Sequence, residues 1–168
     1  MLINLHVKNL ALIEETEVDF TDHLNILTGE TGAGKSILIG SIQSALGAKI
    51  PKDMIRNGCD SALIELIFHT QSEAVRKKME EFEIPFEDGE IIISRRITNN
   101  RVINKVNDIS VTIGRLKELS PLLLDLSGQH ENQLLLKPQN HLKIIDSYHR
   151  SVIAPIKKEV TLLYQEYQ

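Results

Sequence analysis

The chain carries the segment Gly29-Glu30-Thr31-Gly32-Ala33-Gly34-Lys35-Ser36, which matches the phosphate-binding pattern G-x-x-x-x-G-K-[ST]. In this pattern, glycines let the backbone approach the phosphates, while successive N–H groups and the helix dipole point towards the negative charge. We expect Lys35 to reach the β- and γ-phosphates and the Ser36 hydroxyl to bind Mg²⁺. The segment therefore predicts a site for a nucleoside triphosphate and Mg²⁺.

The residues on both sides of this segment have the secondary structure that the chemistry requires. Leu24-Asn25-Ile26-Leu27-Thr28 is short and apolar, which predicts a buried strand. Apolar residues then recur at helical spacing up to Leu46, and Gly47 predicts the end of that helix. Because strand, Gly-rich turn and helix follow in the order of a P-loop, we interpret the match as functional rather than as a chance turn.

Two hairpins flank this region in the sequence. Residues 2–7 and 15–20 predict one hairpin before the P-loop, and residues 90–97 and 101–106 predict a second one. The second hairpin carries four basic residues: Arg95, Arg96, Arg101 and Lys105. They form a candidate patch for the phosphates of DNA, and a solvated hairpin is the equally simple alternative.

A triphosphatase also needs a carboxylate for Mg²⁺ and a group that orients the attacking water. The apolar run Leu122-Leu123-Leu124-Asp125 predicts a short buried strand over residues 122–127 that ends near such an acid. No second acid follows Asp125, and Gln129 stands just beyond the end of the predicted strand instead. Two interpretations stay open: Asp125 is the magnesium acid of a self-contained small NTPase or kinase, or it is an ordinary turn residue.

Composition limits where such a chain can work. The 168 residues suffice for one full core, and the net charge of -4 argues against a surface that coats nucleic acid everywhere. The single cysteine, Cys59, excludes an intrachain disulfide and is typical of a reducing cytoplasm. No apolar run approaches the ~20 residues of a membrane span. We therefore expect a soluble cytoplasmic protein without a membrane partner.

The C-terminal part has the pattern of a long amphipathic helix. From Leu142 onward, apolar residues occur in steps of three and four, at 145, 148, 152, 156, 160, 163 and 167. Pro155 predicts a kink or a fresh helix start within it. The pattern reaches the last residue without a cap, so we expect the helix to continue in a longer chain. A nucleotide-gated interaction module that works through residues 142–168 is therefore a further alternative.

Taken together, these motifs resemble the N-terminal half of the ATPase head of the SMC (structural maintenance of chromosomes) family. Within that group the chain is most similar to the RecN family of bacterial DNA repair proteins. A P-loop of the form Gly-Glu-Thr-Gly-Ala-Gly-Lys-Ser followed by a later Gly-Gln-His-Glu is fairly specific to that family. The matching stretches are residues 7–13, 28–37, 53–58 and 124–133.

The resemblance implies an α/β P-loop NTPase of the ABC/SMC head type, with a mostly parallel core sheet beside an antiparallel β-lobe. Residues 1–150 would be the N-terminal half of the head, and residues 151–168 the root of a coiled coil. A C-terminal half would supply the signature motif, the Walker B acids and the switch histidine, and two heads would dimerise around two ATP molecules. The implied role is recombinational repair of DNA double-strand breaks at the nucleoid, with poor ATP hydrolysis by this part alone.

The resemblance also assigns roles to individual residues. Lys35 and Gln129 would be catalytic, and Gln129 would bind Mg²⁺ beside Ser36 and contact the attacking water, with Gln133 as the competing assignment. A glutamine suits this role because its carbonyl oxygen coordinates while its amide donates. Lys49 and Asn9 would lie near the nucleotide, although a lysine cannot make the bidentate contact of an arginine. The remaining nucleotide-binding residues would be Gly29, Glu30, Thr31, Gly32, Ala33, Gly34, Lys35, Ser36 and Ile37.

Overall fold

The structure is a computed structural model that describes residues 1–28, 34–50, 54–124, 141–142, 145–146 and 148–167, without the side chains of residues 150 and 151. The chain divides into two compact units, Met1–Asp125 and Leu126–Gln168. The boundary expected at residue 150 stays a prediction.

The described part of the first unit contains one six-stranded sheet. Its strands are β1 (Leu2–Leu10), β2 (Ile13–Asp19), β3 (Ser61–His69), β4 (Glu90–Thr98), β5 (Val102–Val106) and β6 (Ile109–Ser110). They are arranged in the order β2-β1-β3-β4-β5-β6, and all neighbouring strands are antiparallel. Both predicted hairpins are confirmed, as β1–β2 and as β4–β5.

The expectation of a mostly parallel core sheet is wrong for the described residues. Residues 24–28, predicted as a buried strand, lie in no strand, and the side chains of Leu24 and Ile26 are 79% and 72% exposed. A strand is stable only when a neighbour satisfies its backbone N–H and C=O groups, and no strand of the described sheet pairs with this segment.

In the described part of the first unit, three α-helices accompany the sheet: α1 (Lys35–Ala45), α2 (Glu73–Glu81) and α3 (Ile113–Leu123). Helix α1 packs on β3 and β4, and α2 packs on α3. Every second residue of β3, from Ala62 to Phe68, is buried, as are Ile91, Ile93 and Ile97 of β4. Helices on an apolar sheet face confirm the α/β class.

Helix α3 extends into the segment for which the sequence predicts a strand. Thr112 caps its start, since the Thr112 hydroxyl accepts a hydrogen bond from the Arg115 backbone N–H at 3.3 Å. The helix then continues through Pro121 to Leu123, so the strand predicted over 122–127 is wrong at Leu122 and Leu123, and residues 125–127 lie outside the described residues. Burial of Leu119 and hydrogen bonds made by Ser120 hold this last turn in place.

The second unit contains helix α4 (Arg150–Tyr167), which confirms the helical prediction. Pro155 lies inside this helix rather than at its start. Along α4 the side chains of Val152, Ile156, Val160 and Leu163 are each more than half exposed. Among the described residues, no helix is both long and apolar enough to cross a membrane.

Candidate nucleotide-binding site

The N-terminus of α1 begins at the described end of the P-loop segment. Gly34 occupies the N-cap position with φ 97°, a left-handed conformation that favours glycine. Its carbonyl oxygen accepts the first bond of the helix, from the Leu38 N–H at 2.8 Å. Lys35 and Ser36 follow as the first two residues of α1, so the lysine and the serine of the motif lie in the first helical turn.

The first turn of α1 has the properties of an anion site. The first N–H groups of a helix have no partner within the helix and carry the positive end of its dipole. Ser36 is exposed, while Lys35 and Ile37 are half-buried. Of the site residues predicted from the sequence, eight lie outside the described residues: Gly29, Glu30, Thr31, Gly32, Ala33, Asp125, Gln129 and Gln133.

The C-terminus of α1 is closed by a Schellman motif. The Ala48 N–H donates to the Gln43 carbonyl at 3.0 Å, and the Gly47 N–H donates to the Ser44 carbonyl at 3.1 Å. Gly47 has φ 107°, and a Cβ there would lie 2.9 Å from Cγ of Lys117 in α3. Gly47 therefore both ends α1, as predicted, and allows α3 to approach closely.

Arg95 also acts at this end of the helix. Its side chain is only 4% exposed, and Nη1 donates hydrogen bonds to the backbone carbonyls of Ser44 and, at 3.0 Å, Ala48. Burial lowers the pKa of its guanidinium. The prediction that Arg95 belongs to an exposed DNA-contacting patch is therefore wrong, because strand alternation turns this side chain towards α1.

The rest of that predicted patch is on the surface. Arg96 and Arg101 are exposed, and Lys105 Nζ lies 3.6 Å from a carboxylate oxygen of Asp108. These three side chains belong to β4, β5 and the turn between them. Their contact with DNA stays a prediction.

Asn9 lies at the end of β1, beside the turn of the first hairpin. It has φ 53°, and its carbonyl accepts from the Arg56 N–H at 3.0 Å. The Ala11 N–H donates to the Met54 carbonyl at 2.6 Å, and Arg56 Nη1 donates to the Leu12 carbonyl at 2.8 Å. The segment after the P-loop helix thus holds the hairpin turn that carries Asn9.

Lys49 lies at the other end of α1 from Lys35 and Ser36. The helix has 11 residues, which at about 1.5 Å per residue separates its ends by roughly 16 Å. Lys49 follows Ala48, whose carbonyl is bound by Arg95 at the C-terminal end. The described residues do not bring Lys49 to the first turn of α1, and the roles predicted for Lys49 and Asn9 stay predictions.

Sequence reasoning missed the anchoring of α1 at its C-terminus. The signal was present in β4, where Ile91, Ile93 and Ile97 alternate with more exposed residues. Arg95 shares their parity, so the alternation predicts that it faces the core. In addition, Ser120 Oγ donates to the Leu46 carbonyl at 2.7 Å, and no sequence pattern indicates that bond.

Comparison with known sequences gives a consistent family relationship. A family profile described as AAA domain matches residues 4–167. The chain is 39% identical to the DNA repair protein RecN of Bacillus subtilis (strain 168) over 169 residues, which cover 99% of this chain and 29% of that protein. It is 37% identical to the DNA repair protein RecN of Halalkalibacterium halodurans, over 99% of this chain and 30% of that protein. The chain thus spans less than a third of the length of these relatives.

Solved structures share the fold. A Smc head domain from Pyrococcus furiosus, with an extended coiled coil and bound to the C-terminal domain of ScpA, matches with TM-score 0.65 and 18% identity, over 96% of this chain and 44% of that chain. A chain from a study of ATP-driven dimerization and DNA-stimulated activation of SMC ATPases matches with TM-score 0.60 and 18% identity, over 86% of this chain and 97% of that chain. These likenesses confirm the fold expected of an SMC-type head.

Proposed function

The chain belongs to the AAA domain family, and from that premise we propose that it is the ATP-binding N-terminal part of an SMC-like ATPase. The whole protein would act in recombinational repair of DNA double-strand breaks, as a nucleoid-associated cytoplasmic enzyme. The observation that carries the proposal is Gly34, which caps α1 in a left-handed conformation with Lys35 and Ser36 directly after it. The names of the relatives support the assignment to DNA repair.

Each residue of the first turn of α1 has a distinct task in this proposal. Gly34 lets the chain enter the helix with its N–H groups facing the phosphates, and Lys35 neutralises the β- and γ-phosphates. The Ser36 hydroxyl, which is exposed, and Gln129 would hold Mg²⁺. When bound, Mg²⁺ neutralises the charge that develops on the phosphate oxygens. Water then attacks the γ-phosphorus, ADP leaves with the bridging oxygen, and the attacking water gives up a proton to solvent.

The remaining parts of the site would come from outside this chain. Leu24 and Ile26, directly before the P-loop, are exposed, which fits a strand whose neighbour belongs to the rest of a longer protein. We therefore assign the catalytic acid and the signature motif to a C-terminal half, with hydrolysis on dimerisation of two heads. DNA contacts through Arg96, Arg101 and Lys105 belong to the same proposal.

ATP binding by the first turn of α1 is tested with two lysine variants. Lys35→Ala should weaken the binding of a fluorescent ATP analogue at least about tenfold, because it removes charge-assisted hydrogen bonds to phosphate. Lys77→Ala removes an exposed lysine of α2 and should leave the dissociation constant unchanged. Equal affinities of wild type and Lys35→Ala would contradict the proposed site.

Hydrolysis distinguishes this proposal from a self-contained NTPase. The chain alone should turn over ATP slowly with Mg²⁺, and addition of the C-terminal half of the head should raise the steady-state rate. Robust turnover by the chain alone that is lost in Asp125→Asn would favour the self-contained enzyme instead. Lys35→Ala serves as the inactive reference in both assays.

A further inference from the structure

We propose that Arg95 is a positioning residue of the nucleotide site, because it anchors the C-terminus of the helix whose N-terminus binds the phosphates. The inference rests on the proposed function for its consequence, the effect on nucleotide affinity. Its structural part, the attachment of α1 to the sheet, stands on the contacts of Arg95 alone.

The contacts of Arg95 are those of a helix C-terminal anchor. One nitrogen, Nη1, donates to the carbonyls of Ser44, in the last turn of α1, and of Ala48, just beyond it. Carbonyls at the end of a helix lack partners within the helix and carry the negative end of its dipole. The cation on β4 thus binds the Ala48 carbonyl, adds a charged donor to the Ser44 carbonyl, which also accepts from the Gly47 N–H, and lies at the negative end of the dipole of α1.

Arg95 is a buried residue of the sheet face rather than a surface residue. The side chain is 4% exposed, on the sheet face that carries the buried Ile93 and Ile97. No carboxylate forms an ion pair with it among the described residues, and its Nε has no hydrogen-bond partner there. A buried cation is costly unless it is paired or hydrogen-bonded, so the carbonyls of Ser44 and Ala48 are its stabilising partners.

A second side chain holds the same end of α1. Ser120 of α3 is 8% exposed, and its hydroxyl lies 2.7 Å from both the Leu46 carbonyl and the Leu116 carbonyl. Arg95 and Ser120 therefore bind three carbonyls at this end of α1, those of Ser44, Leu46 and Ala48. The attachment of α1 does not depend on apolar packing alone.

Loss of the hydrogen bonds of Arg95 should weaken nucleotide binding at the first turn of α1. Helix α1 is a stiff element of 11 residues, so a shift at one end moves Gly34, Lys35 and Ser36 at the other. If only a fraction of molecules has α1 seated on the sheet, the apparent dissociation constant rises by the inverse of that fraction. Arg95 thereby sets how well the phosphate-binding turn is pre-organised.

The test combines hydrogen exchange without nucleotide and binding of a fluorescent ATP analogue, both on the intact chain. Arg95→Met should speed amide exchange in the last turn of α1 about tenfold relative to β1 and β3, and raise the dissociation constant about three- to tenfold. Arg95→Lys keeps one charged donor and should restore most of both values. Arg76→Met, an exposed arginine of α2, is the matched control and should change neither.

Ser120→Ala extends the test if Arg95→Met fails to fold, and it should produce a smaller change of the same kind. The proposal is overturned if exchange in α1 and affinity in Arg95→Met match those of Arg76→Met. It is also overturned if exchange rises equally in all elements without rescue by lysine. A wild-type chain that does not bind the analogue contradicts the proposed function, while the exchange data still decide on the anchor.

Discussion

At the scale of single residues, glycines with different backbone conformations have different tasks in α1. Gly34 has φ 97°, and an added Cβ would meet no atom within 4 Å. Gly40, in the middle of the helix, also has open space around it but no left-handed conformation. Because neither position is sterically crowded, alanine substitutions at Gly34 and Gly40 differ in the effect of backbone conformation and not in that of packing.

Gly34→Ala should lower the free energy of unfolding by about 1 to 2 kcal/mol, because a left-handed conformation is unfavourable for a residue with a Cβ. Gly40→Ala should raise it by up to about 1 kcal/mol, since alanine is the better helix former. Urea unfolding of both variants measures the difference. A stabilising Gly34→Ala would show that the left-handed cap is not required.

Arg95 illustrates how much one residue's environment can be predicted. The parity of β4 places Arg95 on the same face as Ile93 and Ile97, so its burial is predictable from alternation. The carbonyls that accept hydrogen bonds from its guanidinium are not predictable, because Ser44 and Ala48 are about 50 residues away in sequence. The patch hypothesis failed at this residue because adjacent strand residues face opposite sides of a sheet.

At the scale of elements, the β1–β2 hairpin is stabilised on one face by charges. Glu15 Oε2 lies 2.9 Å from Lys8 Nζ, and Glu15 Oε1 lies 3.0 Å from His6 Nε2. Hydrogen bonds from Lys8 and from His6 lower the pKa of Glu15. The cross-strand register pairs Lys8 with Glu15 directly, which explains why these side chains meet.

The lowered pKa of Glu15 predicts a pH dependence of stability. The folded state favours the ionised carboxylate of Glu15. Its contribution to the free energy of unfolding is therefore complete above the pKa that Glu15 has in the unfolded state, and it disappears as the pH falls through the lower pKa of the folded state. Glu15→Gln should therefore flatten the decline of unfolding free energy between about pH 5 and pH 3. Urea unfolding at several pH values measures this, with Glu80→Gln of α2 as the control. Parallel declines in wild type and Glu15→Gln would contradict the assignment.

Elements with a local signal were predicted best. The hairpins and α1 combine an apolar period with turn or cap residues within a few positions, so their signals are local. Residues 24–28 and 122–123 were predicted as strands because apolar runs of this length are ambiguous. Residues 24–28 have no neighbouring strand in the described sheet to pair with, so they are not part of it. Residues 122–123 are helical because burial of Leu119 and the hydrogen bond of Ser120 extend α3 through them.

At the scale of the whole molecule, the chain contains two compact units with different properties. Met1–Asp125 holds the sheet and α1, whereas Leu126–Gln168 holds α4 with its exposed apolar side chains. The first turn of α1 lies within the first unit. An interaction role for α4 is therefore separable from nucleotide binding by experiment.

Truncation of the chain after Tyr148 removes α4 and tests this separation. The dissociation constant of the ATP analogue should stay within about twofold of the full chain, because the predicted site residues all precede the cut. Binding to the C-terminal half of the head, measured by analytical ultracentrifugation, should be weakened by loss of the apolar side chains of α4. A truncated chain that no longer binds nucleotide would contradict this division of tasks.

The sequence by itself determined the P-loop motif as a pattern of residues, both hairpins, the C-terminal helix and the resemblance to SMC-type heads. Each of these depends on residues close together in the chain, where glycine conformation, alternation and helical period act locally. Only the tertiary structure decided that the described sheet is antiparallel throughout, that α3 passes Pro121, and that Arg95 turns inward to anchor α1. These features depend on which distant groups meet, since backbone and buried polar groups must find partners that a local pattern does not specify.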